Sequence, residues 1–404
     1  MARATHRAAR AMNGSWAIRS AQHGATELDE LLARVERTAP DPDRSDSYSN
    51  LTIARGKHIC ITCPVALRFE WRRVTDWVAY HSLLGVDCFV LFLDESKLSS
   101  DVASSAVALR VLLAAPTVKL FRYDCPDRHS CNIERQSYAL VRGLERMRHR
   151  VRPKACMYID VDEFVAVRAL PLGASIHGAL VRMANQLLAR GDGVFLHRWQ
   201  YGTSGYDAPP SLACTPEFGL LTTRRGVDYH GKLLLRVGRG VRLANMHSIE
   251  YGSNSTIRLA DGSRISPRRW SLISEGAVGH QRQLLSINHF NTGSRQECLD
   301  KSRNTGIASS KTHRRVRYCA EYHVKIGRGE ALKGGFVYDP LLARHAYATR
   351  AQYRTVFPNA AASVAALLTA LGGHRRDHGA GGAGCTAAAM LAVTKRQGVE
   401  LGGG

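Results

Sequence analysis

Three carboxylates, Asp160, Asp162 and Glu163, stand together in the segment ACMYIDVDEFVAV, with apolar residues on both sides. In a chain with an excess of positive side chains, such a cluster is either a solvated turn or a site for a cation. Carboxylates two residues apart on an extended strand end point the same way, because side chains alternate with a period of two. Asp160 and Asp162 are therefore predicted to share one divalent cation, directly or through water.

The chemistry that this pair would support involves phosphate. Mg²⁺ and Mn²⁺ prefer carboxylate oxygens together with phosphate oxygens, and they usually keep several waters. A metal held in this way acts as a Lewis acid on a departing nucleoside diphosphate, which is what transfer from a nucleotide-sugar requires. The Asp-x-Asp pattern alone is also typical of a capped turn, so the neighbouring elements must be considered.

The segments before the carboxylates alternate between strand and helix patterns. Buried strands are predicted at HICITC, DCFVLFL, TVKLFRY and ACMYI. Amphipathic helices are predicted between them at RRVTDWVAYHSLLG, 99–115 and 132–149. This alternation predicts an α/β fold with a mostly parallel central sheet flanked by helices. Ligands of such sheets bind at the carboxyl ends of strands, and the last of these strands ends at Asp160.

The composition of the chain changes towards both ends. Of the 404 residues, 45% are hydrophobic and 22% are charged, which is enough for a sizeable core. We predict a single catalytic domain with disordered termini. Its parts are a basic tail and linker at 1–55, the catalytic domain at 56–330, a helical extension at 331–371, and a tail rich in Gly and Ala at 372–404.

The net charge predicts anionic partners. The chain has 56 Lys and Arg against 34 Asp and Glu, which gives +22. Nucleotides, acidic glycans and nucleic acid would all be attracted, and the charge is compatible with peripheral association with an anionic membrane. No RNA-binding aromatic signature, zinc-finger spacing or basic-leucine pattern accompanies the charge, so no specific nucleic-acid partner is predicted. No run approaches the 18 apolar residues of a membrane span.

Ten cysteines at irregular spacing do not indicate a disulfide scaffold in a chain of this length. Cys60 and Cys63 form one C-x-x-C pair without a second pair at zinc-finger spacing. We predict that both are small buried hydrophobic residues. The redox compartment is left open by this pattern.

Several motifs follow one another in a distinctive order. They are VTDWVAYHSLLGVDCFVLFLDESKLSSD, RQSYAL, MYIDVDEFVAV, WQYGTSG, Lys232 before a short strand, and INHFNTGSRQECLDKSRNTG. Over about residues 58–306 this order resembles glycosyltransferase family 92, a part of the wider GT-A group of Asp-x-Asp glycosyltransferases. The chain departs from the family early, where Phe69 stands in place of an Asn and Asp76 in place of a Glu.

The resemblance implies a metal-dependent, inverting transfer of a hexose, often galactose, from a UDP-sugar to a hydroxyl of a glycan or glycoconjugate. The implied cofactor is Mn²⁺ or Mg²⁺. Asp160 and Asp162 would bind the metal and the diphosphate, and His289 would complete the metal shell or meet the diphosphate. The family also implies a Golgi or secretory lumen, although this chain has no clear signal peptide or membrane anchor and its compartment is left open.

Other residues are candidates for holding the donor. Asp94 follows the second strand and would meet the nucleoside there, unless it caps a turn with Ser96. Lys232, Lys301 and Arg303 would neutralise diphosphate oxygens, because positive charge stabilises a departing phosphate. A solvated basic face is the alternative for these three side chains.

An inverting transfer also needs a base that deprotonates the acceptor hydroxyl. The candidates are Glu217, which we favour, and Asp207, with Glu250 behind them. Two other functions fit the same sequence. A metal-dependent nucleotidyl or phosphoryl transferase would use the same carboxylates. A basic protein on an inactive glycosyltransferase scaffold would instead bind nucleic acid or membranes through its charge.

Overall fold

A computed structural model describes the central part of the chain. The described residues are 30–31, 33, 58–94, 102–123, 143, 153–170, 174–201, 220–221, 227–237, 241–245, 248–251, 256–265, 284–290, 294, 296–299, 337–338 and 356. The tail predicted at 372–404 lies outside this set, and of the helix predicted at 132–149 only Gly143 belongs to it. Gly143 is helical and buried.

The described residues form strands and helices in the alternating order that the sequence predicts. The helices are α1 Leu67–Leu83, α2 Val102–Ala114 and α3 Ala179–Leu188. The strands are β1 Ile59–Val65, β2 Cys88–Asp94, β3 Val118–Tyr123, β4 Ala155–Tyr158, β5 Glu163–Val167, β6 Gly193–Gln200, β7 Leu220–Leu221, β8 Val227–Arg236, β9 Val241–Asn245, β10 Ser248–Tyr251, β11 Ile257–Leu259, β12 Arg264–Ile265, β13 Leu285–His289 and β14 Val337–Tyr338.

One ten-stranded sheet organises the fold. Its order is β12-β11-β6-β8-β4-β1-β2-β3, and β13 pairs with both β5 and β6. The neighbours β4, β1, β2 and β3 are parallel, as the alternation of strands and helices requires. The predicted α/β class and the mostly parallel central sheet flanked by helices are therefore confirmed. Strand β8 enters between β4 and β6 and is antiparallel to both, which the sequence pattern does not predict.

Helix α1 illustrates how local sequence sets an element's limits. It begins at Leu67, five residues before the predicted start, and the Glu70 carboxylate accepts a hydrogen bond of 2.5 Å from the Ala66 N–H. This bond satisfies one of the backbone donors that a helix start leaves without a partner. The helix ends where predicted, before Gly85, whose φ of 99° lies in the left-handed region that favours glycine.

Side chains of α1 hold the outer edge of β5, which pairs only with β13 among the described strands. The Trp77 indole N–H donates to the Glu163 carbonyl at 2.8 Å, and the Tyr80 hydroxyl donates to the Val165 carbonyl at 2.7 Å. The Val165 N–H donates to His81 Nε2 at 3.2 Å. Buried backbone groups need such partners, so α1 replaces a neighbouring strand and fixes β5, which begins at Glu163.

We expect acid to destabilise the protein through His81. Its Nδ1 lies 2.8 Å from the Trp77 carbonyl and its Nε2 accepts from β5, so the neutral ring is satisfied on both sides. Burial lowers the pKa of His81 from 6.5 to about 3. Below pH 6.5 the unfolded chain binds a proton that the folded chain excludes, so stability present above pH 6.5 is lost as the pH falls towards 3. Between pH 6.5 and 5 the loss should be roughly 2 kcal/mol.

Urea unfolding between pH 5 and pH 8 measures this loss. The variant His81→Gln cannot take up the proton and should show a weaker dependence of the free energy of unfolding on pH. His177→Gln is the matched control, because the His177 side chain is exposed and its replacement should leave the dependence unchanged. If the free energy of unfolding depends on pH equally in His81→Gln and the natural chain, the role of His81 in acid destabilisation is contradicted.

The two cysteines of the C-x-x-C pair differ in oxidation state. Cys60 of β1 forms a disulfide with Cys88 of β2, whereas Cys63 is a buried thiol. The prediction of two plain buried hydrophobic residues is therefore wrong for Cys60. Its partner lies 28 residues away, and only the pairing of β1 with β2 brings the two sulfurs together.

The helices lie against the sheet and against each other. Helix α1 packs against α2, β2 and β5, and α3 packs against β6 and β8. In the described part of the chain, no helix combines the length and the apolar character that crossing a membrane requires.

Candidate active site

The predicted carboxylates lie in a tight turn between β4 and β5. The Glu163 N–H donates to the Asp160 carbonyl at 2.9 Å, and the Asp160 N–H donates to Glu163 Oε2, also at 2.9 Å. These reciprocal bonds close the turn at both ends. Asp160 and Asp162 therefore do not lie on an extended strand end, and the period-two reason for their shared direction is wrong. Each of the two carboxylates meets a different partner.

Lys232 is the partner of Asp160. Strand β8 lies beside β4 and places Lys232 Nζ 3.0 Å from Asp160 Oδ2 and 3.1 Å from Glu163 Oε2. The ammonium also lies 4.9 Å from the centre of the Tyr158 ring, within range of a cation–π interaction. Lys232 is 0% exposed. The sequence predicts contact with a donor diphosphate, whereas the structure places this ammonium among carboxylates beneath the turn.

Arg198 of β6 completes the buried ionic cluster, and sequence reasoning missed it. Its Nη1 lies 3.0 Å from Glu163 Oε1. Burial would raise the pKa of Glu163, but the charges of Lys232 and Arg198 hold it below its ordinary value. Burial would likewise lower the pKa of Lys232, but Asp160 and Glu163 raise it. Glu163 and Lys232 therefore stay charged, and their ion pairs hold the turn in one arrangement.

A close approach of backbones brings both cations to the turn. The register of β6 and β8 shifts between Leu196 and Arg198, as at a β-bulge, which re-aims the side chains around it. Gly231 lies at this point, next to Lys232. A Cβ there would stand 2.3 Å from the Phe195 ring and 2.4 Å from the Leu196 carbonyl oxygen. The glycine in HGKLLL was the available sequence signal, since glycine inside a strand often marks a bulge or a close backbone approach.

We expect Gly231→Ala to lower the free energy of unfolding by about 1–3 kcal/mol, the usual range for overpacking. The added methyl would push β8 from β6 and displace Lys232 from the turn. Gly191→Ala is the matched control, because its Cβ would meet its nearest atom, the Thr256 carbonyl oxygen, at 3.0 Å. Urea unfolding of both variants should rank Gly231→Ala as clearly the less stable, and the reverse order would contradict the close approach.

Asp162 faces a different residue, His289. Strand β13 runs antiparallel to β5 with His289 opposite Glu163, and the Phe290 N–H donates to the Asp162 carbonyl at 2.8 Å. Asp162 Oδ1 then lies 3.5 Å from His289 Nε2, and both residues are largely buried. The structure thus brings together two of the three residues predicted to bind a metal, from segments more than 120 residues apart in the chain.

Asp162 and His289 have the chemistry of a partial metal site. Among the described residues no group of three His, Cys, Asp or Glu side chains is arranged to hold an ion. Adjacent ligands of an octahedral ion with bonds of 2.0–2.1 Å lie roughly 3 Å apart, near the 3.5 Å between Nε2 and Oδ1. His289 Nδ1 is buried and has no hydrogen-bond partner among the described residues. In this it differs from most metal-binding His residues, in which the ring nitrogen that does not bind the metal donates a hydrogen bond. The pair fits a cation whose other ligands are phosphate oxygens and water.

Arg73 holds the segment that follows His289. Its Nη1 donates to the Phe290 carbonyl at 3.1 Å, and its Nη2 lies 2.8 Å from Glu297 Oε1. Glu297 Oε2 accepts from the Ser294 N–H at 2.8 Å, and the Glu297 N–H donates back to the Ser294 hydroxyl at 3.2 Å. Burial would raise the pKa of Glu297, but Arg73 and Ser294 hold it below its ordinary value. Helix α1 therefore fixes both β5 and the chain leaving β13.

The other predicted site residues are described in part. Asp94 is the last residue of β2, beside the carboxyl end of β1, and its backbone is described. Four predicted residues lie outside the described set: Asp207, Glu217, Lys301 and Arg303. Their assignments as bases and diphosphate ligands stay predictions.

Comparison with known proteins gives structural neighbours alone. No protein-family model and no curated protein matches the chain. A crystal structure of glucosyl-3-phosphoglycerate synthase from Mycobacterium tuberculosis with Mn²⁺, UDP and glucosyl-3-phosphoglycerate is 13% identical, covering 53% of this chain and 73% of that one, with a TM-score of 0.26. The same enzyme with Mn²⁺, UDP and phosphoglyceric acid is 14% identical, covering 63% and 81%, with a TM-score of 0.26. The structural similarity is low at this TM-score, so the ligands of those enzymes are not assigned to this chain.

Proposed function

We propose that this protein is a metal-dependent glycosyltransferase of the GT-A type that moves a hexose from a UDP-sugar to a hydroxyl of a glycan, with inversion. The observation that carries the proposal is the meeting of Asp162 and His289 just beyond the carboxyl end of β4, a strand parallel to its neighbour β1. Ligands of open α/β sheets bind at that edge. The order of motifs that resembles glycosyltransferase family 92 supports the same reaction.

The proposed reaction is a displacement at the anomeric carbon of the sugar. The acceptor oxygen forms a bond to this carbon while the bond from the carbon to the diphosphate oxygen breaks. The hydroxyl proton goes to a carboxylate, for which Glu217 and Asp207 are the proposed bases. Asp162 and His289 would hold Mn²⁺ or Mg²⁺, and the bound ion would neutralise charge on the departing nucleoside diphosphate.

The residues of this chain contribute by orienting the Asp160–Glu163 turn. Lys232 and Arg198 form ion pairs with Asp160 and Glu163. The Asp162 carboxylate belongs to neither of these pairs and faces His289. Asp160 would then contact the donor nucleotide more than the ion, because its Oδ2 already accepts a hydrogen bond from Lys232. A fixed turn favours catalysis, since dipoles and charges that are already oriented need no reorganisation when the leaving group departs.

A donor survey tests the proposal. The natural chain is incubated with UDP- and GDP-sugars, with Mn²⁺ and then with a chelator, and the products are separated by mass spectrometry. We expect one UDP-hexose to be turned over only in the presence of the metal, with release of UDP and transfer or hydrolysis of the sugar. Release of pyrophosphate instead would favour a metal-dependent nucleotidyl transferase.

Failure in every donor combination would contradict the proposal if calorimetry also shows no binding of UDP with Mn²⁺. Salt-sensitive binding of nucleic acid or anionic vesicles under the same conditions would then favour the basic binding protein.

A further inference from the structure

Three cysteines lie in register across three neighbouring strands, and the proposed transfer reaction uses none of them. Cys60 of β1 is opposite Cys88 of β2 on one side and opposite Cys156 of β4 on the other. Residues paired across neighbouring strands present their side chains to the same face, and the strands lie about 4.8 Å apart. The three side chains therefore form one row on a single face of the sheet.

The row contains one disulfide and one thiol. Cys60 and Cys88 are joined, with their Cα atoms 4.5 Å apart, and Cys156 carries a thiol. Cys156 borders Cys60 on the side away from Cys88. A thiolate on that side can attack the Cys60 sulfur along the direction of the existing S–S bond, with the Cys88 sulfur as leaving group.

We propose that Cys88, Cys60 and Cys156 form a thiol–disulfide exchange site in which Cys156 is the second partner of Cys60. The Cys156 thiolate attacks Cys60 Sγ, the Cys60–Cys156 bond forms, and the Cys60–Cys88 bond breaks. Cys88 leaves as a thiolate and takes up the proton that Cys156 released. One disulfide and one thiol are present before and after, so no oxidant or reductant is consumed.

The exchange moves a covalent link from one neighbour of β1 to the other. In one state β1 is joined to β2, and in the other it is joined to β4. Strand β4 ends at Tyr158, two residues before the turn that begins at Asp160. The site thus offers two alternative cross-links in the part of the sheet that supports the turn.

Burial confines the exchange to this row. Cys60, Cys88 and Cys156 are at most 2% exposed, so thiols in solution have little access to the disulfide. Cys63 is the other thiol of the described residues, and it lies with Ile59 and Ile61 in the core on the opposite face of the sheet. Cys63 is therefore an internal control.

Disulfide mapping of Cys88→Ser tests the proposal. The full chain is reduced, unfolded in urea and refolded with reduced and oxidised glutathione, the latter serving as oxidant and reaching the cysteines before they are buried. It is then quenched in acid, alkylated in denaturant and digested without reduction. We expect mass spectrometry to find Cys60 joined to Cys156 in this variant. In Cys60→Ser the remaining Cys88 and Cys156 lie two strand spacings apart, about 9.6 Å, which exceeds the span of a disulfide, so both should be alkylated. Cys63→Ser should leave the mapping unchanged.

The proposal is overturned if Cys88→Ser, folded by circular dichroism, keeps Cys60 reduced or joins it to any other cysteine. If that variant does not fold, the natural chain decides the question. Exchange requires that Cys60 is always bonded and that alkylation is shared between Cys156 and Cys88. Alkylation of Cys156 with none at Cys88, after prolonged incubation at alkaline pH where thiolates form, would overturn the proposal.

Discussion

Replacing Asp162 with asparagine should abolish Mn²⁺ binding at the turn and reduce sugar transfer by more than about 100-fold, beyond the loss typical of residues that only support a metal ligand. The amide removes the negative charge that faces His289 Nε2 across 3.5 Å. Neutral amide oxygens are weaker ligands for a hard divalent cation than carboxylates. With two proposed protein ligands, weakening one leaves a single strong ligand. The fold should be kept, because the backbone bond from Phe290 to Asp162 is unchanged by the substitution.

Electron paramagnetic resonance of Mn²⁺, with and without UDP, measures this binding without reference to turnover. Asp261→Asn is the matched control, since Asp261 is an exposed aspartate that also lies in a turn, where it accepts hydrogen bonds from Ser263. The control should bind Mn²⁺ as the natural chain does. Unchanged affinity in Asp162→Asn would place the ion elsewhere and would remove the main support for the transferase.

Replacing Lys232 with methionine should lower the free energy of unfolding by about 3–5 kcal/mol, the cost of removing one partner from a buried ion pair. The methionine keeps the length of the side chain but leaves Asp160 and Glu163 without the ammonium that lies 3.0 and 3.1 Å from them. Of its two cationic partners Glu163 then keeps Arg198, and its pKa should rise. Because these bonds hold the turn, Mn²⁺ affinity should fall together with stability.

Urea unfolding compares this variant with Lys154→Met, a substitution of an exposed lysine just before β4. A second variant separates charge from shape: Lys232→Met combined with Asp160→Asn leaves Glu163 paired with Arg198, so no carboxylate of the cluster lacks a cation, and part of the lost stability should be recovered. Metal binding should stay weak in that double variant if the ionic cluster orients Asp162. A Lys232→Met protein as stable as Lys154→Met would show that the cluster contributes nothing.

The sequence predicts the elements that precede the turn well. Hydrophobic runs such as DCFVLFL and the amphipathic repeat of RRVTDWVAYHSLLG are local signals, and each formed the predicted strand or helix. Helix ends were harder to predict, because the start of α1 at Leu67 depends on the reach of Glu70 back to Ala66.

Local pattern was therefore enough for the class of fold and for the place of the carboxylates at the end of β4. The alternation of strands and helices requires parallel neighbours, and parallel strands end at a common edge where polar residues collect. Asp160, Asp162 and His289 were recognisable as residue types in suitable positions. Their partners were not, since nothing near position 160 in the sequence specifies what lies across the sheet.

Pairing between distant strands settled those partners. The antiparallel entry of β8 beside β4 put Lys232 against Asp160, 72 residues away, and the bulge between β6 and β8 turned Arg198 towards Glu163. The same long-range pairing joined Cys60 to Cys88 and set Cys156 beside them. Register depends on which apolar faces bury together over the whole sheet, and that free energy is shared among strands far apart in the chain.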